Sequence, residues 1–451
     1  AASATETLTL QFLPEESYFK SGTVLSAVDA SGLVVSDSDT GISTDVFTSQ
    51  SFITDTELLD AISVTLDFEV SSDGSTLTAA RAADAYTKAL AEGNPSASGT
   101  EQSLAAILDA NAGAVTSANA QALVAAIDFA PDTETVAGMI GDLRGDAHLS
   151  AVRAQFAVER LVDRTLARTP ADAAVSGRHV WAQPFGGRLA DNLRGSHSRT
   201  KAAGLAGGVT VTEPGHEIGW QVAAAYFSES NNLHAKTRGE GLWLGASLGQ
   251  AFDGGEKWWF DLSGRVGLAN VETERLQTSI GSSQEAEGTR LSAALSGKIG
   301  PRLELADVLF LRPSVGLTGT VLRTPSKTED RMGGLDIDDA WYRSLRAQVG
   351  VSAETAPIAS AVTGFSWKWT ANAGYERELL QDAGEFTAGI AGMAGNFSQR
   401  VDWNDRNRWL IGGGLELANE KGFTAALRLE GELTHGDGAA VTGGAELRWR
   451  F

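Results

Sequence analysis

The chain contains no cysteine, which excludes disulfide staples, thiolate metal sites and cysteine nucleophiles. It has no apolar run near the ~20 residues that a membrane-crossing helix requires, so a helical membrane anchor is excluded. Its opening residues, Ala1-Ala2-Ser3-Ala4-Thr5, show neither a basic segment nor an apolar segment. The chain is therefore read as starting downstream of any signal peptide. Positive charge is scarce early on: residues 1–149 hold 22 Asp/Glu against Lys20, Arg81, Lys88 and Arg144. Tryptophan is missing from the first 180 residues, all 11 lying between Trp181 and Trp449. Two regions built on different physical rules are implied. A net charge of −21 opposes binding to phosphate backbones, so nucleic acid is not an expected partner.

What is present begins at His179. From there apolar and polar residues alternate in segments separated by turn chemistry. The spans read 179–189, 201–212, 217–228, 240–251, 256–269, 289–300, 308–321, 341–353, 364–377, 406–418, 422–433 and 440–451. The faces separate cleanly: Trp258, Phe260, Leu262, Gly264, Val266 and Leu268 oppose Trp259, Asp261, Ser263, Arg265 and Gly267. At 178–451 this pattern predicts a twelve-stranded antiparallel transmembrane β-barrel with an apolar exterior and a charged lumen. Short turns such as Glu213-Pro214-Gly215-His216 alternate with long polar connections at 190–200, 229–239, 270–288, 322–340 and 378–405. Trp181, Trp258, Trp341, Trp409 and Trp449 are placed at strand ends, as an interfacial girdle would be. A soluble sandwich would alternate too, but with strands of the usual length of about 5–6 residues.

Upstream, 150–170 reads as a helix opened by Ser150 and closed by Thr169-Pro170. Arg153, Arg160, Arg164 and Arg168 fall within an arc of about 80° at 100° per residue. Nineteen residues reach nearly 30 Å at about 1.5 Å each, close to the thickness of a hydrocarbon core. The helix is too charged for lipid, and its length and charge suit a polar lumen. There Asp261, Glu416, Glu430 or Glu432 are candidate partners for its arginines. Arg265, Arg290, Arg428 and Arg448 complete the candidate lumen-facing charges. Residues 77–149 read as short Ala-rich helices in an acidic linker, for example at 103–108 and 120–127. Residues 1–76 read as β-rich, with runs at 8–12, 32–35 and 61–70.

Catalytic chemistry finds no setting. Gly245-Ala246-Ser247-Leu248-Gly249 matches the hydrolase elbow, but lies inside an alternating strand and not at a strand–turn–helix junction. The six histidines are scattered without an i,i+4 pair, so no metal site is expected. The acidic run Asp336-Ile337-Asp338-Asp339 reads as a solvated loop. No cofactor and no enzymatic activity are predicted.

The helix with the preceding Gly145-Asp146-Ala147-His148-Leu149-Ser150, the first-strand Val180-Trp181-Ala182-Gln183-Pro184-Phe185-Gly186-Gly187, and the terminal Leu447-Arg448-Trp449-Arg450-Phe451 together resemble the translocator domain of a type V autotransporter. The resemblance covers about residues 100–451. It implies an outer-membrane barrel, monomeric, that supports secretion of its own N-terminal passenger to the cell surface. It implies contact with outer-membrane lipid and lipopolysaccharide. It also implies that Trp449 and Phe451 end a signal read by the β-barrel assembly machinery. Residues 1–76 would then be the last part of a passenger stem. Some members of the family cleave inside the lumen helix at an asparagine, and helix 150–168 has none. The alternative carried alongside is a plugged porin-like or adhesin-type barrel with its own small ectodomain.

Overall fold

In the computed structural model the described residues are 18, 23–26, 63–70, 76–167 and, with short breaks, 177–451. The β-runs at 8–12 and 32–35 and the candidate Arg168 lie outside them. The barrel strands are β1 (Gly177–Leu193), β2 (Ser196–Glu213), β3 (His216–Asn231), β4 (Ala235–Phe252), β5 (Trp258–Gln277) and β6 (Ser282–Pro301). They continue as β7 (Leu309–Thr324), β8 (Ala340–Thr355), β9 (Phe365–Gln381), β10 (Asn407–Asn419), β11 (Phe423–Thr434) and β12 (Ala439–Arg450). Each pairs antiparallel with the next, and β12 pairs with β1, with Leu447 opposite Ala182 and Trp449 opposite Val180. Closure leaves the sheet no open edge, the condition for a sheet in hydrocarbon.

The outward face is apolar where water would punish it: Leu205, Trp220, Leu244, Val266, Leu295, Ile411, Leu429 and Val441 are all exposed. That band ends sharply. On β5 the outward residues pass from Val266 and Leu268 to Asn270, Glu272 and Glu274. The strands nevertheless continue, so most of 190–200, 229–239 and 270–288 is ladder and not loop. Backbone pairing needs no apolar face, so the change of outer surface from apolar to polar marks the end of the lipid-facing band and not the end of the strand. Trp181 is a second correction, because it is buried inside the barrel while Trp258, Trp341, Trp409 and Trp449 face outward. Its parity explains this: Trp181 shares a face with His179 and Gln183, and the opposite face holds Val180 and Ala182.

Among the described residues, five helices precede β1: α1 (Ala85–Gly93), α2 (Gly99–Asn111), α3 (Ala118–Asp128), α4 (Thr133–Asp142) and α5 (Asp146–Leu166). Ser98 and Glu101 form a reciprocal capping box that starts α2. The first four helices sit over the barrel end opposite the short turns. There the connections 325–339 and 382–406 contribute a four-stranded sheet, Lys327–Thr328, Leu335–Ile337, Glu385–Ile390 and Phe397–Arg400. Leu104, Leu108, Leu123, Ile127 and Ile140 share one core with Leu335, Ile337, Phe386, Ile390 and Phe397. Neither connection is the long polar loop expected from sequence: each carries period-2 apolar positions (Leu335, Ile337; Phe386, Ala388, Ile390) that close this cap. Asp128, fully buried, accepts from Tyr86 within the cap and ties the cap to the preceding segment through Arg81 and Thr65.

Candidate functional site

The helix α5 runs down the lumen from the cap toward the short-turn end. It begins at Asp146, four residues before Ser150, with Gly145 in the N-cap position. Gln399 accepts the Gly145 N–H at 2.8 Å, so a connection of the barrel fixes where the helix starts. Ser150 instead accepts a hydrogen bond from Asn231 of β3 at 3.0 Å.

One side of α5 is apolar. Ala151, Ala154, Val158, Leu161 and Val162 pack on Trp181, Phe185, Ala202, Ala206, Ala223 and Phe227 of the β1–β3 wall. Small residues on both surfaces let the helix lie close against the sheet, off the barrel axis. Trp243 of β4 reaches the same seat because a Cβ at Gly241 or Gly267 would stand only 2.4 or 2.3 Å from its ring. Its indole donates to Glu159 Oε1 at 3.0 Å.

The other side is ionic. Arg265 of β5 donates to the carboxylate of Glu159, to the Glu159 carbonyl at 3.1 Å and to Asp163 at 2.7 Å. Arg346 of β8 takes the second oxygen of Asp163 at 2.7 Å and reaches Glu376 of β9 at 3.5 Å. Arg408 of β10 joins Glu376 at 3.3 Å to Glu432 of β11 at 3.0 Å. Arg164 of the helix meets Glu432 at 2.8 Å and Glu430 at 3.2 Å. The chain of charges thus leaves the helix, crosses four neighbouring strands and returns to it. Buried charges persist only when paired in this way.

The candidate residues divide accordingly. Arg164, Arg265, Glu430 and Glu432 meet at the helix. Arg290 reaches it by donating to Gln155 at 3.3 Å. Arg153 is buried beside Ser198 and Thr200. Arg160 lines the same cleft as Arg408 and Glu432, with no ion pair among the described residues. Asp261 and Glu416 make no ion pair with α5 among the described residues, because they lie toward the short-turn end beyond Leu166. There they face Lys298 and Lys368 across the ladder. Arg428 and Arg448 meet Glu446 at 3.5 and 3.0 Å in the same lower lumen. Trp449 and Phe451 are exposed on the outer wall, and the Phe451 N–H donates to the Arg178 carbonyl at 3.1 Å, across the β1–β12 seam.

Sequence reasoning missed Glu159 and Asp163 as recipients of barrel arginines, although both stood on the sector beside the arginine stripe. It also missed Arg346, Glu376 and Arg408, whose inward parity is as regular as that of Arg265. A further cluster lies above the apolar band. His148 Nε2 is 2.8 Å from Glu329, which also pairs with Arg275 and accepts the Leu335 N–H at 3.0 Å. Burial opposes ionisation of Glu329, but Arg275 and the His148 bond outweigh it and hold the carboxyl down at about 2. Burial, with Lys327 nearby, pushes His148 down to about 4.

Comparison with known proteins agrees with this geometry. The family model described as the autotransporter beta-domain matches residues 180–430. The translocator domain of the autotransporter NalP from Neisseria meningitidis is similar in fold, with a TM-score of 0.53 at 16% identity, covering 67% of this chain and 97% of that one. The beta domain of the Bordetella autotransporter BrkA covers 61% of this chain and 100% of its own, at 18% identity and a TM-score of 0.48. The transport unit of AIDA-I from Escherichia coli covers 67% and 99%, at 13% identity and a TM-score of 0.46. No curated protein matches.

Proposed function

Since this chain belongs to the autotransporter β-domain family, its barrel is an outer-membrane translocator for its own passenger, and we propose how its parts divide that task. The barrel is a transport unit that makes and breaks no bonds. The cap and everything N-terminal to it stand at the cell surface, and the short turns stand in the periplasm. Helix α5 is the last stretch of chain to occupy the lumen, and there it serves as the plug. Arg164 with Glu430 and Glu432, and Arg265 with Glu159 and Asp163, are the residues that hold it. Trp449 and Phe451, on the outer wall beside the β1–β12 seam, are offered to the assembly machinery, and the outer leaflet's lipopolysaccharide surrounds the wall near the cap.

The observation that carries this reading is the circuit of charges between α5 and β5, β8, β9, β10 and β11. It matches the plug to the lumen wall while leaving both surfaces polar enough for a hydrophilic chain to have passed. The absence of cysteine makes the orientation simple to test. Lys88→Cys in the exposed first helix of the cap should react with a membrane-impermeant maleimide in intact cells. Lys421→Cys in the short turn between β10 and β11 should react only after the outer membrane is permeabilised. The reverse pattern would overturn the proposed orientation.

A further inference from the structure

The apolar band of the outer wall is bordered on the capped side by an unbalanced patch of positive charge. On β1 the outward residues run Arg178, Val180, Ala182, Pro184, Gly186, Arg188. Ten residues at about 3.3 Å, tilted by about 40°, separate the two arginines by roughly 25 Å along the barrel axis, the height expected for a lipid-facing band. Arg188 therefore stands at the band's outer boundary. Lys201 of β2 is its direct cross-strand partner, and Arg199 lies two residues further along the same face. All three side chains are exposed.

Like charges placed directly opposite each other destabilise an antiparallel pair, and no acid among the described residues is a direct cross-strand neighbour of these. The cross-strand neighbours of the patch are Val441 on β12, Ala190 on β1, and Ser228 and Ser230 on β3. Among the described residues, none of the three cations has an ion-pair partner, and the outward face of β1–β3 holds no acid above Glu213 in the short turn. The contrast with β4 and β5 is direct. There Lys236 is 3.5 Å from Glu274, and Arg238 faces Glu272 across the ladder. One row below the patch, Tyr226 projects from the wall, a residue suited to headgroup depth.

We propose that Arg188, Arg199 and Lys201 form a binding site for the phosphorylated head of an outer-leaflet glycolipid, its acyl chains lying on the apolar wall of β1–β3. Two phosphates close together satisfy three cations that no acid among the described residues neutralises, and Ser228 adds a hydroxyl donor between β2 and β4. The proposal rests on the orientation argued above, which places the capped end in the outer leaflet.

The test uses the full chain reconstituted in phosphatidylcholine nanodiscs containing bisphosphorylated lipid A, with lipid retention read by native mass spectrometry. Wild type should retain bisphosphorylated lipid A, and R188Q/R199Q/K201Q should retain it roughly a hundredfold less well, given what each cation near a charged membrane surface contributes. E272Q/E287Q, on the same belt, should leave retention unchanged. Dephosphorylated lipid A should not be retained by wild type, and free inorganic phosphate should not compete at millimolar concentration. Equal retention by the triple variant, or of the dephosphorylated lipid, would overturn the site. Competition by free phosphate would reassign it to a soluble anion. If the triple variant does not assemble, the phosphorylated and dephosphorylated lipids compared on wild type still decide. Reconstitution of a heat-modifiable barrel without lipid retention would defeat this proposal and leave the translocator reading standing. Failure to reconstitute any heat-modifiable barrel would count against both.

Discussion

The cap and the plug are consecutive in sequence, and they are held by opposite physics. Between Tyr86 and Leu143 the helices are fixed by burying leucine, isoleucine and valine against each other and against two barrel connections. From Glu159 onward α5 is fixed on its open side by carboxylates and guanidinium groups. An apolar core has its full strength only where water can be expelled onto the outside. A lumen that must admit hydrophilic chain cannot be lined that way, so its occupant is retained by matched charges. The pairing is more exacting than the core, since removing one buried partner strands the other.

That comparison can be broken at several points, beginning with the plug. Arg265→Met leaves Glu159 and Asp163 without their shared cation and should cost about 3–5 kcal/mol. It should appear as a lower midpoint for the heat-induced gel shift and as new ion conductance across a planar bilayer. A closed, equally heat-resistant barrel would show that the apolar side of α5 suffices. Leu123→Ala, in the cap, should cost about 2–5 kcal/mol through its cavity. Limited proteolysis should then degrade the cap while the compact barrel band survives, and an equal fall in barrel stability would show that cap and barrel melt as one unit.

Acid should act on the junction between them. His148 and Glu329 both have folded values, about 4 and about 2, below their ordinary ones. Their contribution is therefore complete above about pH 6.5 and is lost as pH falls through 4 toward 2. Glu329 alone accounts for about 3 kcal/mol at most. Burial pushes Lys327 down to about 7, so its effect on stability changes only above neutrality and leaves the acid window to the other two. Hydrogen exchange of the Leu335 amide between pH 7 and 3 should report the loosening, and Glu329→Gln should flatten that dependence. The smallest thermodynamic change is expected from Phe451→Ala, which removes a ring facing lipid and should alter folded stability by less than about 1 kcal/mol. Its effect should fall on the yield of inserted barrel in cells, and normal insertion would remove Phe451 from any assembly signal.

The strands were legible because alternation is a local property: Leu262, Val266 and Leu268 declare their side without reference to any other strand. Which charges meet across the lumen was not. The pairing of Arg265 with Glu159 depends on how far the helix is rotated and on the stagger of twelve strands, neither of which is written in any short window. The arginine stripe of α5 is legible in the same local way, but its partners across the lumen are not. Arg164 meets the wall acids Glu430 and Glu432, while the helix's own acids Glu159 and Asp163 receive the barrel arginines Arg265 and Arg346. Trp181 was legible in principle from its shared parity with His179 and Gln183, and was overridden by its nearness to a strand end. The cap was hidden for a different reason, since Leu335, Ile337 and Phe386 are too few and too far apart to announce a core until α2 and α3 are folded onto them.

The circuit around α5 also has a mechanical meaning. Traction applied to the cap from outside is directed along the axis of α5. The contacts that resist it belong to three arginines of different elements, Arg164, Arg265 and Arg346, engaged at neighbouring turns of the helix. Such contacts are loaded together in shear and cannot be peeled one after another. The barrel thus grips its own chain as a ferrule grips a cable, and tension on the exposed part is carried into five strands of the wall.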